Sequence, residues 1–100
     1  MDELPMTLVV IFRARPGREE ALGDTLRALV PLTLAEPGCL AYDLHRSIED
    51  PAVWFFTETW LTRGHHQVHD KSAHVTAFHR VQSELLAEPA LLVRGVRADG

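Results

Sequence analysis

One hundred residues, 46% of them apolar, suffice for a single domain with a thin core. Fourteen acids against ten bases leave a net charge of -4 with no basic cluster, which excludes the positive footprint that nucleic acid demands. No apolar run nears the roughly 20 residues that span a bilayer, residues 1–6 carry no cationic leader, and the lone Cys39 can form no internal disulfide. The expected setting is soluble, reducing and cytoplasmic, with Cys39 a small buried thiol.

In chain order, residues 8–12 form an apolar run rich in β-branched side chains, closed by Pro16 and Gly17, and read as a strand buried on both faces. Glu19 and Glu20 then stand where a helix N-terminus favours negative charge, and Leu22, Leu26, Leu29 and Val30 recur at helical spacing. Pro31 should kink this helix or end it early, and Glu36-Pro37-Gly38 ends it. Leu40, Tyr42 and Leu44 alternate with Ala41, Asp43 and His45, the period of a strand with one wetter face. The turn Glu49-Asp50-Pro51 leads into residues 53–60, a strand apolar on both faces, with Val53 and Phe55 on one and Trp54, Phe56 and Trp60 on the other. A second helical region follows, broken near Asp70-Lys71-Ser72, where Ser72 can cap a new helix running to about Leu86. Val75, Phe78, Val81 and Leu85 form its apolar stripe, Pro89 stops it, and residues 91–96 make the last strand.

The order β-α-β-β-α-β is the split βαβ arrangement of a ferredoxin-like α+β sandwich, one domain over residues 1–100 with its core at about 7–96. Its first and third strands lie mid-sheet and are the most continuously apolar. Two helices cover one face of a four-stranded sheet, so the other face needs a cover, and a second copy packed about a two-fold axis is expected to supply it.

Four segments carry a resemblance. Arg15-Pro16-Gly17-Arg18-Glu19-Glu20 follows the first strand, Glu36-Pro37-Gly38-Cys39-Leu40-Ala41-Tyr42 opens the second, Glu58-Thr59-Trp60 closes the third, and His69-Asp70-Lys71-Ser72-Ala73-His74 runs on to Phe78. In this order the chain resembles the antibiotic biosynthesis monooxygenase superfamily over nearly its whole length. The resemblance implies small domains that dimerise into an α/β barrel. It also implies oxidation of quinols or aromatic polyketides by dioxygen without metal or flavin, although the superfamily also holds haem-degrading enzymes and a sugar-phosphate isomerase. The markers of the haem-degrading branch fall at Val10, His69 and His79, and only the last carries the expected residue type.

Cofactor-free oxygenation needs a base for a phenol, a hold on the resulting anion and walls that exclude water. By this resemblance His69 and His74 are candidate bases, with Trp60 counted among the catalytic residues and set with Phe78 to sandwich an aromatic substrate. His74 lies one turn before Phe78 on the same helix face. Tyr42 could hold a substrate oxygen, and Phe56 and Glu58 share the strand face of Trp60. A buried Glu58 needs a partner, either an imidazole it orients or an arginine such as Arg13 or Arg94. His69 has a blander reading as a solvated imidazole at a helix end, His74 as a satisfied core histidine and Trp60 as a core indole. His65 and His69 are one turn apart, a metal-binding spacing, yet the expectation is that His65 and His66 lie at the surface and that the site holds no metal and no cofactor. The alternatives are a dimeric module that binds a small hydrophobic ligand without turnover, and an isomerase of a small hydroxyketone in which two imidazoles shuttle a proton.

Overall fold

The computed structural model describes residues 4–99. The elements run β1 (Met6–Arg13), α1 (Glu19–Leu34), β2 (Cys39–Arg46), β3 (Val53–Trp60), α2 (Arg63–Asp70), α3 (Ala73–Leu85) and β4 (Leu91–Gly95). All strand pairs are antiparallel in the order β2-β3-β1-β4, so the two greasiest strands are the central pair. The ferredoxin-like expectation holds. No helix among the described residues is long and apolar enough to cross a membrane.

Strand alternation sorts the side chains. Met6, Leu8 and Phe12 of β1, Tyr42 of β2, and Trp54, Phe56, Glu58 and Trp60 of β3 are buried on one face, beneath Leu22, Leu26 and Leu29 of α1 and Phe78 and Leu85 of α3. Each large ring so buried contributes roughly 1.5–3 kcal/mol. Trp54 closes the far end: its indole N–H donates to the Glu19 carbonyl at 3.1 Å, and the Arg46 guanidinium lies over its ring at 4.4 Å. The opposite face carries an apolar row across three strands, Phe55 beside Ile11 beside Leu91, with Val9 and Val93 in the next rank. Leu91 and Val93 are 61% and 59% exposed.

Three local expectations need correction. Helix α1 runs through Pro31 to Leu34 without ending early. The carbonyl four residues back belongs to Arg27, on the exposed side, where water can replace the lost backbone bond. Val81 is exposed, and the α3 stripe is carried by Val75, Phe78 and Leu85. Strand β4 ends at Gly95, one residue short of Val96. The break between the later helices falls as expected, with Ser72 Oγ accepting from the Val75 N–H at 3.4 Å.

Candidate functional site

A cavity of about 150 Å³ opens between the helix-facing side of the sheet and the helices α2 and α3. Val10 and Phe12 of β1, Tyr42 of β2, Phe56 and Glu58 of β3 and Leu92 of β4 form its sheet wall. His66, His69 and Asp70 of α2, with Val75, Phe78, His79 and Gln82 of α3, form its helix wall. Leu29 of α1 and Ala90, which precedes β4, complete the lining. The wall is aromatic and apolar, with a few polar groups converging on it, the usual make-up of a small-ligand site.

His69 is set by a residue from the far side of the α1–β2 turn. Its Nδ1 lies 2.6 Å from Glu36 Oε2, and the same oxygen lies 2.9 Å from His74 Nε2. An ionised carboxylate only accepts, so both ring nitrogens that touch it carry protons, and a neutral His69 presents Nε2 as its acceptor. This is the logic of a carboxylate that fixes an imidazole tautomer for base catalysis. Glu36 reaches the imidazoles because the turn after α1 is tight. Its N–H bonds the Thr33 carbonyl at 2.9 Å, and Gly38 at φ 80 returns the chain into β2. The His65 ring packs directly over Gly38, where a Cβ would collide with it.

Glu58 is 3% exposed. The Trp60 indole N–H donates to its Oε1 at 2.9 Å. Burial is the main cause that pushes the carboxyl up to about 7, with Asp70 and Glu36 adding repulsion and the Trp60 bond opposing the rise. Neither arginine expected from the sequence pairs with it. Arg13 lies on the other sheet face and binds Asp50 at 2.6 Å and Glu88 at 3.0 Å, while Arg94 stands two strands away, opposite Leu8. Tyr42 stacks on Phe56 with centroids 4.3 Å apart and meets His69 edge-on at 5.6 Å. Burial first, then the Glu58 charge, raises its phenol far above the ordinary range, so Tyr42 serves as a neutral donor.

The expected site residues divide into two layers. His69, Tyr42, Phe56, Glu58 and Phe78 share the cavity wall. Trp60 and His74 stand behind it: Trp60 is fully buried, 4.7 Å from the His69 ring, and His74 reaches the site through Glu36. The expectation that His65 and His66 lie at the surface is overturned for His66, while His65 is half-buried against Gly38. His66 is 3% exposed and lines the cavity, because the Thr62 cap on α2, in which Oγ1 accepts from the His65 N–H at 3.2 Å, turns that helix face inward. Burial is the main cause holding the His66 imidazole below its ordinary range, reinforced by His69 and Arg94 against the pull of Asp70. Glu36, which completes the imidazole pair, was visible in the sequence only as part of a turn.

Val10, His69 and His79 do line the same cavity, yet two of these three positions lack the residue type that haem degradation would need there. The Cys39 thiol is half-buried and raised chiefly by burial, which fits an inert side chain. Donor atoms of Glu36, His69 and His74 all lie within 4.8 Å of one another, a set that could hold a transition ion. The 2.6 and 2.9 Å separations are those of hydrogen bonds, so an ion would have to displace both shared protons and draw the carboxylate back.

Comparison with known proteins agrees with this architecture. Residues 5–81 match the family described as Antibiotic biosynthesis monooxygenase. A Mycobacterium tuberculosis protein named "Putative monooxygenase Rv0793" is 32% identical over 85 residues, 85% of this chain and 83% of that protein. "Putative monooxygenase YcnE" of Bacillus subtilis is 26% identical over 89 residues, covering 89% and 94%. The crystal structure of PA3566 from Pseudomonas aeruginosa superposes with a TM-score of 0.90 at 34% identity, over 97% of both chains. With the family matched over residues 5–81 and with its fold and most of its length in common with these proteins, the chain belongs to the antibiotic biosynthesis monooxygenase family.

Proposed function

We propose that this protein is a cofactor-independent monooxygenase that oxidises a small aromatic, quinol-type substrate with dioxygen. The relatives named as monooxygenases support the general class. The observation that carries the finer reading is the Glu36-bound His69, whose Nε2 is left as an acceptor at the wall of an aromatic cavity. His69 takes a phenolic proton, Tyr42 donates to a substrate oxygen, and Phe56 and Phe78 flank the ring. Trp60 holds His69 and Glu58 in place, and His74 holds Glu36. The electron-rich anion then reduces dioxygen itself, so the protein supplies deprotonation, orientation and a dry site.

For a hydroquinone the balance is C₆H₆O₂ + O₂ → C₆H₄O₃ + H₂O: one oxygen atom enters the ring and the other leaves as water. A second copy of the chain covering the Ile11, Phe55 and Leu91 row would complete a dimeric α/β barrel, in a cytoplasmic setting. Oxygen uptake with a panel of hydroquinones and anthrones tests the activity. Turnover that His69→Ala abolishes is the expected result; no uptake with any substrate, together with ligand binding indifferent to His69→Ala, would leave only a binding module.

A further inference from the structure

Glu58 is an acid in an apolar place. On its sheet face it lies between Phe56 and Trp60, with Leu8 opposite on β1 and Tyr42 opposite on β2. One of its oxygens is occupied by the Trp60 N–H. The other has no partner among the described residues. It is not sealed in either, since Thr33 Oγ1 is the sole fully occluded, unpartnered side-chain N or O atom described, so the free oxygen keeps access to the cavity that Glu58 lines. A carboxylate kept for structure alone would be saturated with donors, because a bare oxygen in low dielectric is unfavourable. This one has a single donor, on one oxygen, and stands in the wall of a cavity.

The chemistry proposed above needs two proton acceptors. When a hydroquinone becomes a hydroxyquinone, both phenolic protons leave the substrate and both end in the water formed from the second oxygen atom. His69 Nε2 on the helix wall can store one.

Building on that reading, we propose that Glu58 is the second catalytic base, whose free oxygen takes the other phenolic proton, and that the preferred substrate is a dihydroxyarene of a single ring. In the forward step one O–H bond breaks toward His69 and the other toward Glu58. The ring gives up four electrons in all to dioxygen: one new C–O bond forms, the C–H bond at that ring carbon breaks with its proton passing to the new oxygen as the product hydroxyl, the O–O bond breaks, and the two stored protons return to the departing oxygen as water. The ring size follows from volume. A cavity of about 150 Å³ is the size of an engineered apolar cavity that accommodates benzene, which favours a single ring. Charged and titratable groups around Glu58 come from every neighbouring element: Tyr42 on β2, Glu36 before it, His66, His69 and Asp70 on α2, His79 on α3, and Arg94 on β4.

Two measurements test the proposal. Under nitrogen, hydroquinone and 4-methoxyphenol, which lacks the second hydroxyl, are titrated into the full chain and into Glu58→Gln. In that variant the amide oxygen stays with the Trp60 N–H and the amide NH₂ faces the cavity, a donor where an acceptor stood. The wild type should prefer hydroquinone by about tenfold, and the variant should lose that preference. In air, Glu58→Gln should lower kcat for hydroquinone by about a hundredfold or more, and the wild-type loss of kcat/KM on acidification near pH 7 should be displaced. Unaltered uptake and an unaltered pH profile in Glu58→Gln would overturn the role of Glu58 and leave the oxygenase reading standing. A wild type that shows the Glu58-dependent preference yet consumes no oxygen would overturn the oxygenase reading and support Glu58 as an acceptor of ligand protons. Faster turnover of anthrones than of hydroquinone would overturn the single-ring assignment.

Discussion

Glu36 and His69 are 33 residues apart in the chain and 2.6 Å apart in space, and one carboxylate oxygen serves both His69 and His74. That shared oxygen makes the loop after α1 and the helices α2 and α3 a single functional unit. Glu36→Gln keeps the shape and can leave its amide oxygen at the shared position, but it removes the negative charge that stabilises a protonated His69. The expected result is a fall in kcat of roughly 10²-fold with KM little changed, since Glu36 positions His69 without lining the cavity. Steady-state kinetics in oxygen-uptake assays would read this directly. A KM effect alone would place Glu36 in ligand binding.

Stability should record the strained ionisation of Glu58. Its carboxyl is raised in the folded protein from an ordinary value of 4.5 to about 7, so the folded state holds the proton more tightly than the unfolded chain. The associated stabilisation is fully present below about pH 4.5 and is lost as pH rises through 7, by roughly 3 kcal/mol in total. His66, held below its ordinary range, works in the opposite direction, and its share is lost as pH falls. The Glu58 contribution is therefore isolated by difference. Denaturant unfolding of wild type and Glu58→Gln between pH 4 and 9 should show the variant gaining relative stability toward the alkaline end. Parallel curves would mean that Glu58 stays solvated.

Gly38 meets two demands at once, a φ of 80 and the His65 ring lying on it. Gly38→Ala should cost about 1–2 kcal/mol from the backbone alone, with more for displacing the ring. Because the same turn carries Glu36, activity should fall further than global stability explains. Thermal denaturation measured beside kcat separates the two effects.

The uncovered sheet face predicts an assembly. Ile11, Phe55 and Leu91 run side by side across β4, β1 and β3, with Val93 and Leu91 largely exposed in the single subunit. If two copies meet there, Ile11→Lys should shift the sedimentation coefficient from a dimer to a monomer and lower stability by a few kcal/mol, because a charge placed between two sheets has no partner. A wild-type chain that sediments as a stable, folded monomer at micromolar concentration would exclude the barrel.

Much of this molecule was legible in one dimension. Strand period, turn residues and the Ser72 cap are local properties, so the order of elements, the central place of β1 and β3 and the break between α2 and α3 could be read from spacing. Tyr42, Phe56, Glu58 and Phe78 could be grouped because strand alternation and helical period put them on faces that must meet. What spacing leaves open is which of two adjacent side chains turns inward, and which distant loop completes a site. His65 and His66 are neighbours about 100° apart around a helix, and only the docking of α2 against Trp60 decides that His66 is buried. Glu36 lies in a turn with no periodicity, and its meeting with His69 and His74 depends on packing across 33 and 38 residues. Trp60, an aromatic on the right face, proved to stand behind the cavity because its N–H found Glu58. Local pattern selects the face; the three-dimensional arrangement of elements selects the partner, since a hydrogen bond tolerates only a few tenths of an ångström.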